Sequence, residues 1–501
     1  MTTKILFWIS GDLTHYFIAN YVQKHCDCEL YAIIDVTNRV KKFFEKQTIV
    51  KFKKVWFFHD HIKTNLQSDF NYLQNVEKKY NVNIWKLAIN ERMFYRFFKF
   101  HKFNTKEILS IEESACKLFE SVLGEVNPKF FITKEPTFHH IQLFYEMCRA
   151  KDIIPLILGR PSVSESVIVS QKRHTVDLID KLDNVKPKGY DFEELQKYVD
   201  KHALPRKINY YNEIHGGRLL SKIRAAYDFF IKSDNSNAKD HYNYFGRTKT
   251  RVFLYTLSET IKLCYRGNFI NRNLKKNADF NSKFVYYPMA MDLESMQLIE
   301  SPFYNNQIEI IRFIVKSLPP GCELYVKEAP GQKSRQWRSI SEYKEILNIP
   351  NVTFFHPSVK NVLLLKNCSL VITIGGTSGL EAAVYGKPSI IFSDRGYDIL
   401  PSVFRVREIE SLPQLIRKAL ETKVNPVDVD KYFTLCENES IDINYFDLLQ
   451  KQLDAFFYSG SQHDAEIAES KVISYLEKNE HAYEALAKKH VEKIQKYNDI
   501  N

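Results

Sequence analysis

Short apolar runs alternate with segments of helical spacing through the first third of the chain. Residues 5–9, Ile-Leu-Phe-Trp-Ile, form an unbroken apolar run of strand length that ends in a Ser-Gly-Asp turn at 10–12. Residues 13–24 place Phe17, Ile18, Tyr21 and Val22 at helical spacing. Further strands are predicted over 29–34, 55–58 and 83–87, a helix over 107–123, and a strand-helix-strand unit over 129–133, 137–150 and 153–158. Such alternation implies a parallel sheet with helices on both faces. Residues 91–103 interleave Phe94, Tyr95, Phe97, Phe98, Phe100 and Phe103 with arginine and lysine. That pattern predicts a helix, either packed on the core with its lysines outward or lying on a membrane surface.

The pattern changes from 170 to about 280, where the chain is polar, charged and poor in strand signals. Helices and connectors are expected there, with loops at 186–190 and 233–237. A second α/β block follows. Strands are predicted over 284–288, 323–327 and 352–355, and helices over 305–318, 340–347 and 359–366. Beyond it, helices are expected over 412–420, 446–457 and 465–497. The reading is of two Rossmann-like parallel-sheet lobes, at 1–170 and 281–425, with a helical middle segment at 171–280 and a helical C-terminal tail at 426–501. Ligands of open α/β sheets sit at the carboxyl ends of the strands, so the chemistry is expected at those edges.

The densest signal lies at 372–394. An apolar run at 370–374 leads into Gly375-Gly376-Thr377-Ser378-Gly379, and a short helix follows through Glu381 to about Tyr385. Thr377 or Ser378 caps it, Gly386 is the expected left-handed stop, and Pro388 prevents continuation before a strand at 389–392. Free N–H groups at such a turn suit an anion, and phosphate above all. The same turn also serves packing alone in many α/β proteins. It is neither a Walker loop, since no Gly-Lys-Ser/Thr closes it, nor a dinucleotide fingerprint, since its spacing is wrong.

Composition narrows the picture modestly. The 501 residues carry a formal net charge of +11, with only 16 glycines, several of them in this one stretch. A basic excess suits an anionic ligand, an anionic membrane surface or nucleic acid, but no nucleic-acid recognition motif appears. The eight cysteines show no zinc spacing or disulfide framework, and His59-Asp60-His61 is at most a fragment of a metal site. No signal peptide is evident and no apolar stretch approaches the ~20 residues of a membrane span. A cytoplasmic protein that visits the inner face of the membrane is the expectation.

Several pieces then occur in a fixed order: Tyr286-Tyr287-Pro288, Leu324-Tyr325-Val326-Lys327-Glu328-Ala329-Pro330, Pro357-Ser358-Val359, Thr373 to Ala382, and Gly386-Lys387-Pro388. In this order they resemble the capsule polysaccharide biosynthesis family of glycosyltransferases, which includes β-Kdo transferases of GT-B fold. The resemblance covers about 284–404. One departure stands out: the family commonly has Lys-Glu-His-Pro where this chain has Lys327-Glu328-Ala329-Pro330. The resemblance implies a CMP- or UDP-linked nucleotide-sugar donor, a glycan or glycolipid acceptor, and no metal or other cofactor. It places the donor phosphate at Gly375, Gly376, Thr377, Ser378 and Gly379, with Lys327 and His356 beside it and Glu381 near the ribose. A general base from the first lobe would be Glu135 or Asp12, both at strand ends, although Asp12 is also a natural helix cap. Two rivals remain: a sugar epimerase of the UDP-GlcNAc 2-epimerase kind and a non-catalytic subunit of a glycan assembly complex.

Overall fold

The computed structural model describes residues 2–96, 99–162, 164, 166–202, 219–233, 241–280, 282–292 and 294–499. Two six-stranded sheets organise the chain. The first contains β1 (Thr3–Ser10), β2 (Cys28–Asp35), β3 (Lys54–Phe57), β4 (Phe130–Lys134), β5 (Ile154–Gly159) and β6 (Ile168–Ser170) in the order β3-β2-β1-β4-β5-β6. The second contains β7 (Lys283–Pro288), β8 (Cys322–Lys327), β9 (Val352–Phe355), β10 (Leu370–Thr373), β11 (Ser389–Ile391) and β12 (Val403–Arg405) in the order β12-β11-β10-β7-β8-β9. All pairings are parallel except β5 with β6. This is the expected pair of Rossmann-like lobes, each with an order that reverses direction beside its first strand, after the third. The reversal leaves a crevice at the carboxyl edge, between β1 and β4 in one lobe and between β7 and β10 in the other.

The apolar runs become buried strands for a simple reason. Strands covered on both faces have no solvent side on which to alternate. Every residue of β10 is buried, as are Ile5 to Ile9 of β1. The helix Thr105–Val126 starts at a capping box in which Asn104 and Glu107 exchange side-chain-to-backbone hydrogen bonds.

Three expectations change. Residues 83–87 are not a strand: Asn83 accepts a hydrogen bond from the Lys86 amide and caps a short helix, Ile84–Ala88. The predicted helix at 91–103 is only one π-turn, Arg92–Arg96. Phe94 and Phe103 are buried in the first lobe, while residues 97 and 98 lie outside the described residues. The expected loop at 233–237 also falls outside them after Ser233. Finally, residues 465–497 form two helices, Glu469–Lys478 and Glu480–Asp499. The helix Pro426–Glu439 and strands β6 and β12 had no sequence signal.

The tail does not form a separate unit. Its residues from Leu448 to Ile494 share one apolar core with β1, β2, β4 and the helix Thr14–His25 of the first lobe. Buried Gln452 ties it in place, donating to Thr14 Oγ1 at 2.8 Å and to the Tyr483 hydroxyl at 2.7 Å. The helix Pro426–Glu439 instead packs with Leu380, Val384 and Tyr397 of the second lobe.

Candidate functional site

The glycine stretch forms the carboxyl edge of β10, next to the crevice of the second sheet. Its geometry rests on close approach more than on left-handed backbone. A Cβ at Gly375 would stand 1.8 Å from Ser393 Oγ, which donates at 3.0 Å to the Ile374 carbonyl. Gly386, with φ of 68°, is the left-handed residue after the helix Ser378–Val384. The Tyr397 hydroxyl donates to the Gly376 carbonyl at 2.7 Å, and the Gly376 amide donates to Thr373 Oγ1 at 3.2 Å. The amides of Thr377 and Ser378 have no hydrogen-bond partner among the described residues. Neither side chain caps the helix; Thr377 Oγ1 donates to Glu381 Oε1 at 2.8 Å instead.

A cavity of about 200 Å³ lies against this loop, lined among others by Lys327, Asn361, Thr373, Gly376, Thr377 and Ser378. Lys327 ends β8 and is 2 % exposed, with its ammonium donating to Asn361 Oδ1. Burial pushes that ammonium down to about 8, although Glu328 and Glu381 pull it upward. Burial also raises the Glu381 carboxyl, against the Thr377 hydrogen bond and the Lys327 charge. The structure thus gathers Lys327, Gly376, Thr377 and Ser378 on one cavity, with Glu381 behind Thr377. Gly375 and Gly379 shape the loop from behind. His356 stands outside the cavity lining: Nδ1 meets Ser358 Oγ at 2.6 Å and Nε2 meets Asn271 Oδ1 at 3.0 Å. Burial and the nearby Lys276 and Lys327 push its pKa down.

Two features of this cavity carried no recognisable sequence signal. The first is Glu294, which lines it and whose carboxyl burial pushes up to about 7 despite Arg335 and Arg395. The second is the support beneath Ala329. Glu328 is fully buried and accepts from Arg338 Nε at 2.9 Å, from the Tyr343 hydroxyl at 2.9 Å and from the Ala329 amide at 2.8 Å. Arg338 also pairs with Asp292 and donates to the Ala290 carbonyl at 2.8 Å. This buried network fixes the Lys327-Glu328-Ala329-Pro330 turn.

The first lobe presents its candidate carboxylates at the crevice between β1 and β4. Asp12 pairs with Lys134 at 2.8 Å and accepts from the Thr14 amide at 3.3 Å. Burial pushes its carboxyl up, but Lys134 and His15 outweigh that and hold it below the ordinary aspartate value. The cap position itself is taken by Leu13. Glu135 lies 3.2 Å from His174 Nδ1, and His174 Nε2 lies 3.0 Å from Glu300 of the second lobe. Arg173 and Arg395 complete the cluster around Glu300, which they and His174 hold far below the usual carboxylate range against the effect of burial. Glu135 and the second lobe are therefore joined through one imidazole. His59 of the suspected metal fragment bonds Asp35 at 3.0 Å. Among the described residues no group of three His, Cys, Asp or Glu is arranged to hold a metal ion.

Residues 222–400 match the family model described as capsule polysaccharide biosynthesis protein. The resemblance to that family therefore stands. The matched stretch takes in strands β7 to β11, Lys327 and the whole glycine loop. Among solved structures, the chain is similar to a UDP-GlcNAc 2-epimerase from Methanocaldococcus jannaschii at 10% identity, over 87% of this chain and 99% of that one, with a TM-score of 0.26. It is also similar to the Thermosulfurimonas dismutans KpsC β-Kdo 2,7 transferase at 13% identity, over 71% and 87% of the two chains, with a TM-score of 0.30. No curated protein matches it.

Proposed function

We propose that the protein is a glycosyltransferase that moves a sugar from a nucleotide-activated donor to a surface or capsular polysaccharide or glycolipid acceptor, without a metal. The observation that carries this reading is that the buried Lys327 and the residues with unpartnered amides, Thr377 and Ser378, line one cavity. A leaving nucleotide gains negative charge in the transition state, and fixed cations and amide dipoles in a dry site stabilise it. Lys327 supplies the cation and the loop supplies the dipoles. By the family resemblance, Glu381, which accepts from the Thr377 hydroxyl, takes the donor's ribose. Glu135 takes the acceptor proton; Asp12 is the weaker base of the two because its pair with Lys134 keeps it acidic. No cofactor beyond the donor is required.

Thermal unfolding against CMP, UDP, GDP and TDP tests the reading. A nucleotide at about 100 times its Kd stabilises the fold by about 2.7 kcal/mol, a rise of roughly 5–10 °C at about 2–4 °C per kcal/mol. One nucleotide should give that shift, and Thr377→Trp, which fills the cavity, should abolish it. Donor consumption that needs no acceptor would mean the epimerase instead, and no shift with any nucleotide would mean the non-catalytic subunit.

The titrating groups of the cavity give a second expectation. A nucleotide sugar is a phosphodiester whose own charge is constant near neutrality. As pH rises, Glu294 gains a negative charge near 7 and Lys327 loses its positive one near 8, so both changes repel the donor. Calorimetric affinity for the donor should therefore fall steadily from about pH 6 to about pH 9, by about tenfold for each charge change worth ~1.4 kcal/mol. In Glu294→Gln the lower half of that fall should vanish and the upper half remain. A flat profile in the wild type would remove both groups from the binding site.

A further inference from the structure

We propose that the face built by residues 219–232 and 249–273 docks on the surface of an anionic lipid bilayer. Both segments are helical, and each turns apolar side chains outward. On the first, Leu219, Ile223, Tyr227 and Ile231 recur every four residues and each leaves more than half of its surface exposed. On the second, Phe253, Leu257, Ile261 and Tyr265 repeat the same spacing and the same exposure. A surface helix of a soluble protein does the reverse, with its apolar stripe on the core. Here the buried positions of the long helix are Glu259 and Ile270. The two helices meet where the first ends and the second begins: Lys249 donates to the Phe230 carbonyl at 2.7 Å and the Phe230 and Phe253 rings are 6.3 Å apart.

Charge selects the occupant. The two acids on these helices are both buried: Asp228 is bound by Arg39 at 2.7 Å and Glu259 by Lys262 at 2.8 Å. Lys222, Arg224, Lys232, Arg251, Lys262 and Arg272 remain exposed among the apolar side chains. On these two helices the apolar stripe is flanked by exposed cations and by no exposed acid, which complements acyl chains below anionic headgroups. A second copy of the chain would bring like charge against like charge. No helix among the described residues is long and apolar enough to cross a membrane, so these helices lie along its surface. Between them opens an apolar cavity of about 660 Å³, lined by Ala225, Phe229, Phe230, Val252 and Phe253 and closed by Gln462 and His463 of the tail. It is large enough to take an acyl chain of a docked lipid. The inference stands apart from the donor chemistry and holds whichever nucleotide binds.

Co-sedimentation of the full chain with vesicles tests it. The probes are pure phosphatidylcholine and phosphatidylcholine containing about 30% phosphatidylglycerol, at low and high salt. The protein should pellet with the anionic vesicles at low salt, at least about tenfold more than with neutral ones, and less at high salt. Leu257→Glu with Ile261→Glu should lose that binding while keeping the unfolding midpoint, since both side chains point into solvent. Lys222→Glu with Arg251→Glu should lose it as well. Failure to pellet with anionic vesicles would overturn the proposal, as would equal pelleting of the apolar variant. So would lipid-free dimerisation in sedimentation velocity that the apolar variant abolishes, which would assign the face to a second copy.

Discussion

Replacing Arg338 by Met should cost about 3–5 kcal/mol of stability, the usual price of stranding one buried charge. Arg338 is 6 % exposed and supports Glu328, which has no solvent at all. Without the guanidinium, Glu328 keeps only the Tyr343 hydroxyl and the Ala329 amide, and Asp292 loses its cation. The unfolding midpoint should drop by roughly 6–20 °C at about 2–4 °C per kcal/mol. The double variant Arg338→Met, Glu328→Gln should recover much of the loss, because it removes the orphan charge along with its partner. A single variant within about 1 kcal/mol of wild type would mean that water reaches Glu328 and that the network is not the support of the turn.

Lys327→Met should act in the opposite sense on stability and strongly on function. A buried ammonium whose affinity for its proton has fallen to about 8 is held in its charged form at a cost near neutral pH. The sign follows: its folded pKa lies below the unfolded value of 10.5, so the neutral form is the one folding favours, and stability grows as pH rises through 8. Removing the charge should leave the unfolding midpoint at pH 7 unchanged or higher. Donor affinity should meanwhile fall about tenfold or more, as expected for a lost charge-assisted hydrogen bond. The chemical step should slow by about 10²–10³, the loss typical of one transition-state donor. Lower stability with unchanged donor affinity would show that Lys327 is a packing residue bonded to Asn361 and nothing more.

The two lobes were readable in the sequence because buried parallel strands announce themselves as apolar runs of fixed length, as at Ile5 to Ile9 and Leu370 to Thr373. Residues 83–87 defeat that rule: the run is too short to separate a strand from a helical turn, and the Asn83 cap decides it. Strand β6 has three residues and β12 three, too few for any period to show. In the candidate site, the glycine loop was legible because close backbone approach demands particular residue types. The cluster of Asp292, Glu328 and Arg338 was not, because an ion pair formed between loops obeys no spacing. Glu294 was equally silent, since only burial distinguishes it from any other glutamate.

The shared core of the first lobe and the tail has a consequence for how the chain is made. A core that runs from Ile5 to Ile494 joins residues made before the second lobe to residues made after it. The second lobe, whose core lies within residues 270–419, can close as soon as it is out. The face of the first lobe that carries Tyr16 and Phe17 must wait for the tail, while the opposite face closes with residues 6–242. On that face folding therefore follows the making of the second lobe, and its apolar side chains need protection until the tail is made.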